Sequence, residues 1–183
     1  MYRCLDFCIS LIGLLVLLPL VLVIFILGLF DTGLPLFVQT RVGLKQKPFK
    51  LYKFRTMAVD TESVATHLVR SSSVTKLGSV LRTTKLDELP QLLNVLKGDM
   101  SLVGPRPCLP NQLELVKARS ELRVFDVRPG ITGLAQINSI DMSTPELLAI
   151  WDARMIKDLS ISSYFVLIFK TMAGSGSGDR IGD

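Results

Sequence analysis

An uninterrupted apolar run near the N-terminus dominates the hydropathy pattern of the chain. Residues 7–30 include no charged residue, and Asp6 and Asp31 bracket them. At about 1.5 Å per residue, a helix of this length is long enough to cross a hydrocarbon core roughly 30 Å thick. A cleaved signal peptide would have an apolar region of only about 7–15 residues, followed by a small-residue cleavage site. We therefore interpret the run as a retained membrane segment.

Pro19 lies in the middle of this segment and predicts a kink or break, because proline removes a backbone hydrogen bond and crowds the preceding turn. Two shapes fit the residues: a kinked helix that spans the membrane, and a helix-break-helix hairpin that enters and leaves by one face. Basic residues without acidic neighbours follow the segment and predict that this side is cytoplasmic. They are Arg41, Lys45, Lys47, Lys50, Lys53 and Arg55. The N-terminal side carries too little charge to decide, so both shapes remain open.

The pattern after the membrane segment predicts a small β-hairpin and several short helices. Apolar residues indicate strands over 36–42 and 49–57, joined through residues 43–48. Residues 60–82 are polar with weak helical patterning, and leucines then recur at helical spacing from Leu86 to Leu96, where Lys97 and Gly98 end the helix. Further helices are predicted over 111–125 and 145–156, with a type II turn at Pro129 and Gly130 between them.

A second apolar stretch, residues 160–172, is too short to span a bilayer and is expected in the core or on the membrane surface. The glycine- and serine-rich tail, residues 174–183, is predicted to be flexible, and no role is assigned to it. The resulting fold class is α+β and mainly helical. It combines a membrane helix, a small antiparallel β-hairpin and amphipathic interfacial helices around the start of a helix near residue 87.

Charge and composition narrow the classes of partner. The chain has 183 residues, 49% hydrophobic residues and a net charge of +5, and most of the positive excess follows the membrane segment. Such a basic block typically contacts anionic lipid headgroups. No nucleic-acid motif is present, so no nucleic-acid partner is expected. Three cysteines and the single His67 show no disulfide or zinc spacing, which suits a reducing cytoplasm.

Two adjacent carboxylates, Asp87 and Glu88, precede a proline and the leucine pattern. Acidic residues are common in the first turn of ordinary helices, so the pair alone is consistent with a structural role. Two registers compete: Thr84 as the N-cap with Asp87 completing a capping box, or Asp87 or Leu86 as the cap with Pro90 in the first turn. We favour the second, since a proline in the first turn costs little.

Arginines are available to offset negative charge if these acids face a phosphate. Arg106 lies between Pro105 and Pro107, which restrict the backbone and present the guanidinium at low entropic cost. Arg82 lies upstream of the acids, and arginine is suited to bidentate phosphate contacts. A carboxylate without neighbouring His or Cys is also a typical Mg²⁺ ligand. A loop salt bridge remains the structural alternative for Arg106.

An ordered set of motifs resembles the bacterial sugar transferase family, the monotopic phosphoglycosyl transferases. The motifs are FVQTRVG, FKLYKFRTM, LDELPQLLNVLKGDMSLVGPRP, RPGITGLAQIN and FKTM. They extend from the membrane segment to about Met172, and the long block from Leu86 to Pro107 is very specific. The chain resembles the small form of that family, the catalytic unit without an added membrane bundle.

The resemblance implies transfer of a sugar-1-phosphate from a UDP-sugar to undecaprenyl phosphate, with release of UMP, as the first membrane step of bacterial glycoconjugate assembly. The family's acid dyad falls on Asp87 and Glu88. Asp87 would attack the β-phosphorus and carry the phosphosugar, and Glu88 would hold Mg²⁺. By the same resemblance, Lys53, Arg82 and Arg106 are phosphate contacts and Asp152 faces the site.

The resemblance also implies a re-entrant hairpin broken at Pro19, with both ends on the cytoplasmic face of the bacterial inner membrane. The expected organisation is a membrane helix over residues 1–32, a membrane-associated catalytic domain over 33–173 and the flexible tail. The expected partners are the UDP-sugar, undecaprenyl phosphate and membrane lipid, with a second copy of the chain as a further candidate.

Two positions depart from the family pattern. Many members carry serine before the hairpin proline, whereas this chain has Leu18, which removes a polar contribution to a helix break. After AQIN, many members continue with Gly-Arg-Asn, whereas residues 139–143 here read SIDMS. If that loop contacts sugar, the donor differs, and we expect an N-acetylated amino sugar, with a 6-deoxy sugar as one form.

Two other functions remain to be separated from this one. A non-enzymatic membrane adaptor would use the basic block for lipid and the acids only at a helix start. A metal-dependent glycosyl transferase would release UDP instead of UMP, although the sequence has no convincing Asp-x-Asp nucleotide-sugar motif.

Overall fold

The protein was analysed as a computed structural model, which describes residues 2–61 and 73–176. The helices are α1 (Tyr2–Asp31), α2 (Lys76–Thr84), α3 (Gln91–Lys97), α4 (Leu113–Glu121), α5 (Leu134–Ile137), α6 (Pro145–Asp158) and α7 (Ile161–Met172). The strands are β1 (Leu36–Val42), β2 (Pro48–Phe54), β3 (Ser101–Val103) and β4 (Gly130–Thr132). The mainly helical α+β class is confirmed. Most of the predicted weak helical pattern over residues 60–82 lies outside the described residues, and α2 accounts for its end.

The predicted β-hairpin is confirmed. Strands β1 and β2 pair antiparallel, with Leu36 opposite Phe54 and Val42 opposite Pro48. Strand β2 ends at Phe54, three residues before the predicted end at residue 57, and the side chain of Phe54 is buried. The buried side-chain amide of Asn94 in α3 forms hydrogen bonds with the backbone of β2. It accepts from the Tyr52 N–H at 3.0 Å and donates to the Lys50 carbonyl at 2.7 Å. The hairpin is thereby fixed to α3.

A second sheet consists of the parallel strands β3 and β4, which were not predicted from the sequence. Here the predicted type II turn at Pro129–Gly130 is wrong, because that turn needs a positive φ at Gly130, and Gly130 has none. The glycine is required for another reason. A Cβ at this position would lie 2.0 Å from the backbone nitrogen of Gly104, so only glycine lets the two chains approach this closely.

Helix α1 is continuous from Tyr2 to Asp31 with Pro19 inside it, so the predicted break at Pro19 is not confirmed. Proline removes only one hydrogen bond of the helix, and the remaining bonds and the apolar sequence can keep the segment helical. Within the described residues, α1 is the one helix that is long and apolar enough to cross a membrane. Its outward side chains are exposed, including Leu15 at 63% and Val16 at 70%.

The N-terminal end of α1 is attached to the folded body by polar contacts. Asp6 is 3% exposed and accepts hydrogen bonds from the Ser101 hydroxyl and the Leu102 amide, both at 2.9 Å, and from the Tyr164 hydroxyl at 2.7 Å. Burial and the Asp6 carboxylate raise the pKa of Tyr164, which keeps the phenol protonated as the donor. Arg3 donates to two carbonyls at the end of α3.

The C-terminal end of α1 is attached to the same body. Ile24 is buried in one apolar cluster with Phe54 and Leu81. Asp31, the last residue of the helix, accepts a hydrogen bond from the Thr75 hydroxyl at 2.7 Å. Both ends of the apolar helix therefore contact one body, while its outward face is left exposed.

The C-terminal helices agree with the prediction in position and differ in length. Helix α6 confirms the helix predicted over 145–156. Helix α4 is shorter than the predicted 111–125, because Arg123 adopts a left-handed conformation (φ 57°) and a 3-10 turn over Val124–Asp126 follows it. Helix α7 is amphipathic: Tyr164 and Leu167 are buried in the main core, while Phe169 and Met172 are 72% and 81% exposed.

Candidate active site

The two carboxylates lie in a 3-10 turn, Leu86–Glu88, between α2 and α3. Helix α2 continues to Thr84, so Thr84 is not the N-cap of the next helix, and the capping-box register is wrong. Lys85 then adopts a left-handed conformation (φ 59°, ψ 16°) that redirects the chain. The register that we favoured is also corrected: Pro90 itself is the N-cap of α3, because it has no N–H to donate and ends the 3-10 turn. The acids therefore precede the helix instead of forming its first turn.

The turn separates the two carboxylates. Asp87 is only 3% exposed. Glu88 faces the loop after β3, where its Oε1 accepts a hydrogen bond from Arg106 Nη2 at 2.8 Å. The structure thus brings together two predicted site residues, Glu88 and Arg106, and places Asp87 beside them in the sequence with its side chain turned inward.

Three contacts hold the backbone that presents Arg106. The Pro105 carbonyl accepts from the Gly130 amide at 2.9 Å. The Arg106 carbonyl accepts from Arg119 Nη1 at 2.8 Å, and the Pro107 carbonyl accepts from Arg41 Nη1 at 3.1 Å. Each carbonyl of the Pro-Arg-Pro segment has a buried or partly buried partner. This rigid backbone fixes the guanidinium of Arg106 next to Glu88.

Asp152 lies behind this loop. It is 1% exposed, and its Oδ2 accepts from Arg119 Nη2 at 2.7 Å and Nε at 3.0 Å. Burial raises the pKa of Asp152, and the Arg119 guanidinium opposes that shift. Asp152 orients the guanidinium of Arg119, and Arg119 in turn donates to the backbone carbonyl of Arg106. Asp152 therefore acts on Arg106 through Arg119. It does not line the cleft described below.

The other two predicted cations lie on elements that pack against the acidic turn. Lys53 is in β2 and is 8% exposed, and β2 packs on the 3-10 turn. Arg82 is in α2, and its Nε donates to the Thr56 hydroxyl at 2.8 Å. Arg41 and Lys53 are both buried, which corrects their assignment to a lipid-binding basic block. Within that block, Lys45, Lys47 and Lys50 are exposed.

A shallow cleft that is open to solvent adjoins Glu88 and Arg106. Lys85, Thr132 and Gln136 contribute to its walls, and the chain segment after α7 closes one side. Lys85 Nζ donates to the Ser175 carbonyl at 2.8 Å. Burial lowers the pKa of Lys85; Glu88 opposes this shift and Arg106 adds to it.

Three parts of the cleft were not predicted from the sequence: Lys85, Gln136 and the segment after α7. Lys85 lies two residues before Asp87, and this proximity was the one sequence signal that could have indicated a role for it. The segment after α7 was interpreted as a linker from composition alone, and only the three-dimensional structure places it at the cleft.

The donor set is compatible with Mg²⁺. The described residues contain no group of three or more His, Cys, Asp or Glu side chains that could hold a metal ion. Mg²⁺ does not need one, since in phosphate sites it commonly binds one or two carboxylates and takes its other ligands from phosphates and water. Glu88 supplies a hard oxygen ligand of this kind. Arg106 is already bonded to one oxygen of Glu88, which leaves the other carboxylate oxygen for a cation.

The structure defines an apolar helix on a body whose cleft presents a carboxylate and an arginine. The family model described as bacterial sugar transferase matches residues 1–176. The chain therefore belongs to the bacterial sugar transferase family.

Three curated relatives show the range of similarity. An uncharacterized sugar transferase, EpsL, of Bacillus subtilis is 53% identical over 107 residues, which cover 58% of this chain and 52% of the relative. A second Bacillus subtilis protein, named provisionally as an undecaprenyl-phosphate N-acetylgalactosaminyl 1-phosphate transferase, is 44% identical over 131 residues, 70% of this chain and 72% of the relative. The UDP-glucose:undecaprenyl-phosphate glucose-1-phosphate transferase of Escherichia coli is 39% identical over 153 residues, 79% of this chain and 33% of the relative. The match to EpsL spans about half of that protein.

Proposed function

We propose that this protein transfers a sugar-1-phosphate from a UDP-sugar to undecaprenyl phosphate and releases UMP. The observation that carries the proposal is the pairing of Glu88 with Arg106 beside the buried Asp87, on a body that holds both ends of an apolar helix. The names of the relatives from Bacillus subtilis and Escherichia coli support the substrate classes.

The first step uses Asp87 as the nucleophile. An oxygen of Asp87 attacks the β-phosphorus of the UDP-sugar, and the bond from that phosphorus to the bridging oxygen breaks. UMP leaves with the electron pair, and an aspartyl phosphosugar remains. The inward position of Asp87 would shield this acyl phosphate from hydrolysis by water.

The cations of the site allow the negatively charged carboxylate to approach the diphosphate. Arg106 is held on a rigid loop and offers a planar pair of donors to phosphate oxygens. Lys53 and Arg82 lie on the elements around the acidic turn and add positive charge. Glu88 orients Arg106, and it would hold Mg²⁺, which when bound offsets charge on the diphosphate.

The second step regenerates the enzyme. An oxygen of undecaprenyl phosphate attacks the phosphorus of the aspartyl phosphosugar, and the bond from phosphorus to the Asp87 carboxylate breaks. The product is a lipid diphosphate sugar, and the carboxylate returns to its starting form. No proton transfer is needed when the attacking phosphate is ionised.

The attachment of α1 supports a location on one face of the membrane. If α1 spanned the bilayer, one of its ends would be separated from the folded body by about 30 Å of hydrocarbon. Instead, Asp6 near one end and Ile24 and Asp31 near the other contact that body. We infer a monotopic protein on the cytoplasmic face of the inner membrane, with both ends of α1 on that face.

Native cysteines provide a direct test of this topology. Cys4 and Cys8 are exposed on α1, and Cys108 is buried. In a Cys8→Ser variant, a membrane-impermeant maleimide should leave Cys4 unlabelled in intact spheroplasts and label it after permeabilisation. Leu34→Cys, in a background without Cys4 and Cys8, marks the other end of α1 and should behave identically. Labelling of Cys4 from outside, with Leu34→Cys protected, would show a spanning helix.

We infer that the donor carries an N-acetylated amino sugar. The name of the 44% identical Bacillus subtilis relative supports this class. Residues 139–143 follow Gln136 of the cleft and depart from the common family pattern. This local difference would change which donor sugar the protein accepts.

The product formed from the nucleotide tests the reaction. Purified protein in detergent, with Mg²⁺ and undecaprenyl phosphate, should release UMP from one or more members of a UDP-sugar panel. Chromatography of the nucleotides distinguishes three functions. UMP supports the proposal, UDP indicates transfer of sugar without phosphate, and an unchanged donor across the panel indicates the membrane adaptor.

A further inference from the structure

The chain after α7 folds back over the cleft instead of leaving the body. We call residues 173–176 the C-terminal strap. Its amides continue the hydrogen bonding of α7: Ala173 donates to the Phe169 carbonyl at 2.8 Å, and Ser175 donates to the Lys170 carbonyl at 2.9 Å. Gly174 and Gly176 have φ values of +87° and +80°, which L side chains rarely adopt. The turns at these glycines direct the strap across the cleft.

The strap is seated against α5. A Cβ at Gly176 would lie 2.3 Å from the Gln136 carbonyl oxygen, so the strap can lie here only because residue 176 is glycine. Ser175 and Gly176 line the cleft together with Glu88 and Arg106. The strap therefore occupies space next to the groups that the proposed function assigns to the diphosphate and its metal.

Lys85 fastens the strap from the opposite wall. Its ammonium donates to the Ser175 carbonyl at 2.8 Å, although the two residues are 90 positions apart in the sequence. Glu88, the acidic residue that lines the cleft, is already bonded to Arg106. The half-buried ammonium of Lys85 is thus held by a neutral acceptor in a cleft that also contains a guanidinium.

An anion would be a stronger partner for this ammonium than a peptide carbonyl, because hydrogen bonds between two ionised groups are shorter and stronger. The ammonium of Lys85 is partly buried, and a negative charge beside it would offset the cost of that burial. A phosphate oxygen entering the cleft near Arg106 would compete directly with the Ser175 carbonyl.

We propose that Lys85 is a substrate-binding residue that exchanges the Ser175 carbonyl for a phosphate oxygen of the nucleoside diphosphate-sugar, and that this exchange releases the C-terminal strap. The inference rests on the proposed function for the identity of the substrate. The strap and the substrate compete for Lys85, so closure of the strap reduces the apparent affinity for the donor.

The exchange predicts opposite effects for two variants. Lys85→Gln removes the charge and keeps a donor for Ser175, so it should weaken UDP binding in the presence of Mg²⁺ by about tenfold, the scale of one lost charge-assisted hydrogen bond. Gly176→Ala forces the strap away from Gln136 and leaves Lys85 intact, so it should tighten UDP binding by about threefold. Matched controls are Lys117→Gln, an exposed lysine on α4, and Gly33→Ala, a glycine of positive φ (+74°) with open space around it.

Calorimetric titration of UDP and hydrogen exchange of the strap amides measure the two halves of the proposal. Addition of UDP and Mg²⁺ should speed exchange at the Ser175 amide in the wild type and leave it unchanged in Lys85→Gln. If Lys85→Gln binds UDP as tightly as the wild type, or if Gly176→Ala binds it more weakly, the exchange is contradicted.

These readouts separate the inference from the function on which it rests. Wild-type protein that binds UDP and forms UMP, with unchanged UDP binding in Lys85→Gln, would retain the proposed function and overturn the role of Lys85. Wild-type protein that binds no UDP and forms no UMP would overturn both.

Discussion

The Asp87→Asn variant is expected to lose UMP release by about 10³-fold or more, because the amide cannot serve as the nucleophile that the proposed first step requires. The substitution is nearly isosteric, so it leaves no cavity at this buried side chain. The rates of steady-state UMP formation by the variant and the wild type, measured with the best donor of the panel, are compared to obtain this fold loss. Circular dichroism in the same detergent checks that the variant is folded.

Two comparisons make this result specific. Asp126→Asn alters an exposed carboxylate paired with Arg123, far along the sequence from the acidic turn, and should leave the rate unchanged. Glu88→Gln should also reduce the rate strongly, but its loss should depend on the Mg²⁺ concentration. A folded Asp87→Asn variant that releases UMP at the wild-type rate would exclude Asp87 as the nucleophile.

Removing the charge of Asp152 is expected to give the largest loss of stability among single substitutions at the predicted site residues. Asp152→Asn leaves the buried guanidinium of Arg119 without its counter-ion, and breaking a buried pair in this way costs about 3–5 kcal/mol. The apparent melting temperature should fall by roughly 10 °C. Thermal unfolding in detergent or lipid, followed by tryptophan fluorescence or calorimetry, measures the change.

The exposed pair of Arg154 and Asp158 on the same helix is the matched control. Its atoms are 3.9 Å apart and its side chains are 66% and 63% exposed, so Asp158→Asn should change stability by less than about 1 kcal/mol. The double variant Arg119→Met, Asp152→Leu removes both buried charges and should recover part of the loss. A melting temperature of Asp152→Asn equal to that of Asp158→Asn would contradict the structural role of the pair.

The parts of the fold that depend on local pattern were predicted from the sequence. The β-hairpin and α6 were placed with nearly correct bounds, because alternating or helical apolar spacing and their turn residues lie within each segment. The apolar stretch that forms α7 was located from its composition. The parallel pair of β3 and β4 was missed, since two strands of three residues carry no periodicity. The contact that requires Gly130, the backbone of Gly104, lies 26 positions away.

The same distinction applies to the candidate site. Motifs of the family selected Glu88 and Arg106 as site residues, one for metal and the other for phosphate. The salt bridge that joins them at 2.8 Å agrees with the structural alternative given for Arg106, and its partner was not predicted. The side-chain burial of Asp152 and Arg41 could not be predicted, because it depends on how α4, α6 and β1 pack behind the loop. The strap was missed for a similar reason: a glycine- and serine-rich segment is typical of a linker unless a distant lysine binds it.

The prediction of a lipid-binding basic block was wrong for two residues, because the charge of a residue does not show whether its side chain is buried. Arg41 and Lys53 follow the membrane segment in sequence, like the exposed lysines around them, but they point inward from the β-hairpin. Alternation along β2 places Lys50 and Lys53 on opposite faces of the hairpin, so Lys50 is exposed and Lys53 is buried. Lys45 and Lys47 lie in the connection between the strands.

The most direct test of the account is the intact mass of the protein during reaction with its UDP-sugar and Mg²⁺ in the absence of undecaprenyl phosphate. The proposal predicts a mass increase equal to one phosphosugar, located on Asp87 by peptide mapping, with one equivalent of UMP released and the adduct lost when undecaprenyl phosphate is added. Formation of UMP and lipid product with no adduct on Asp87 at any time would contradict the covalent mechanism.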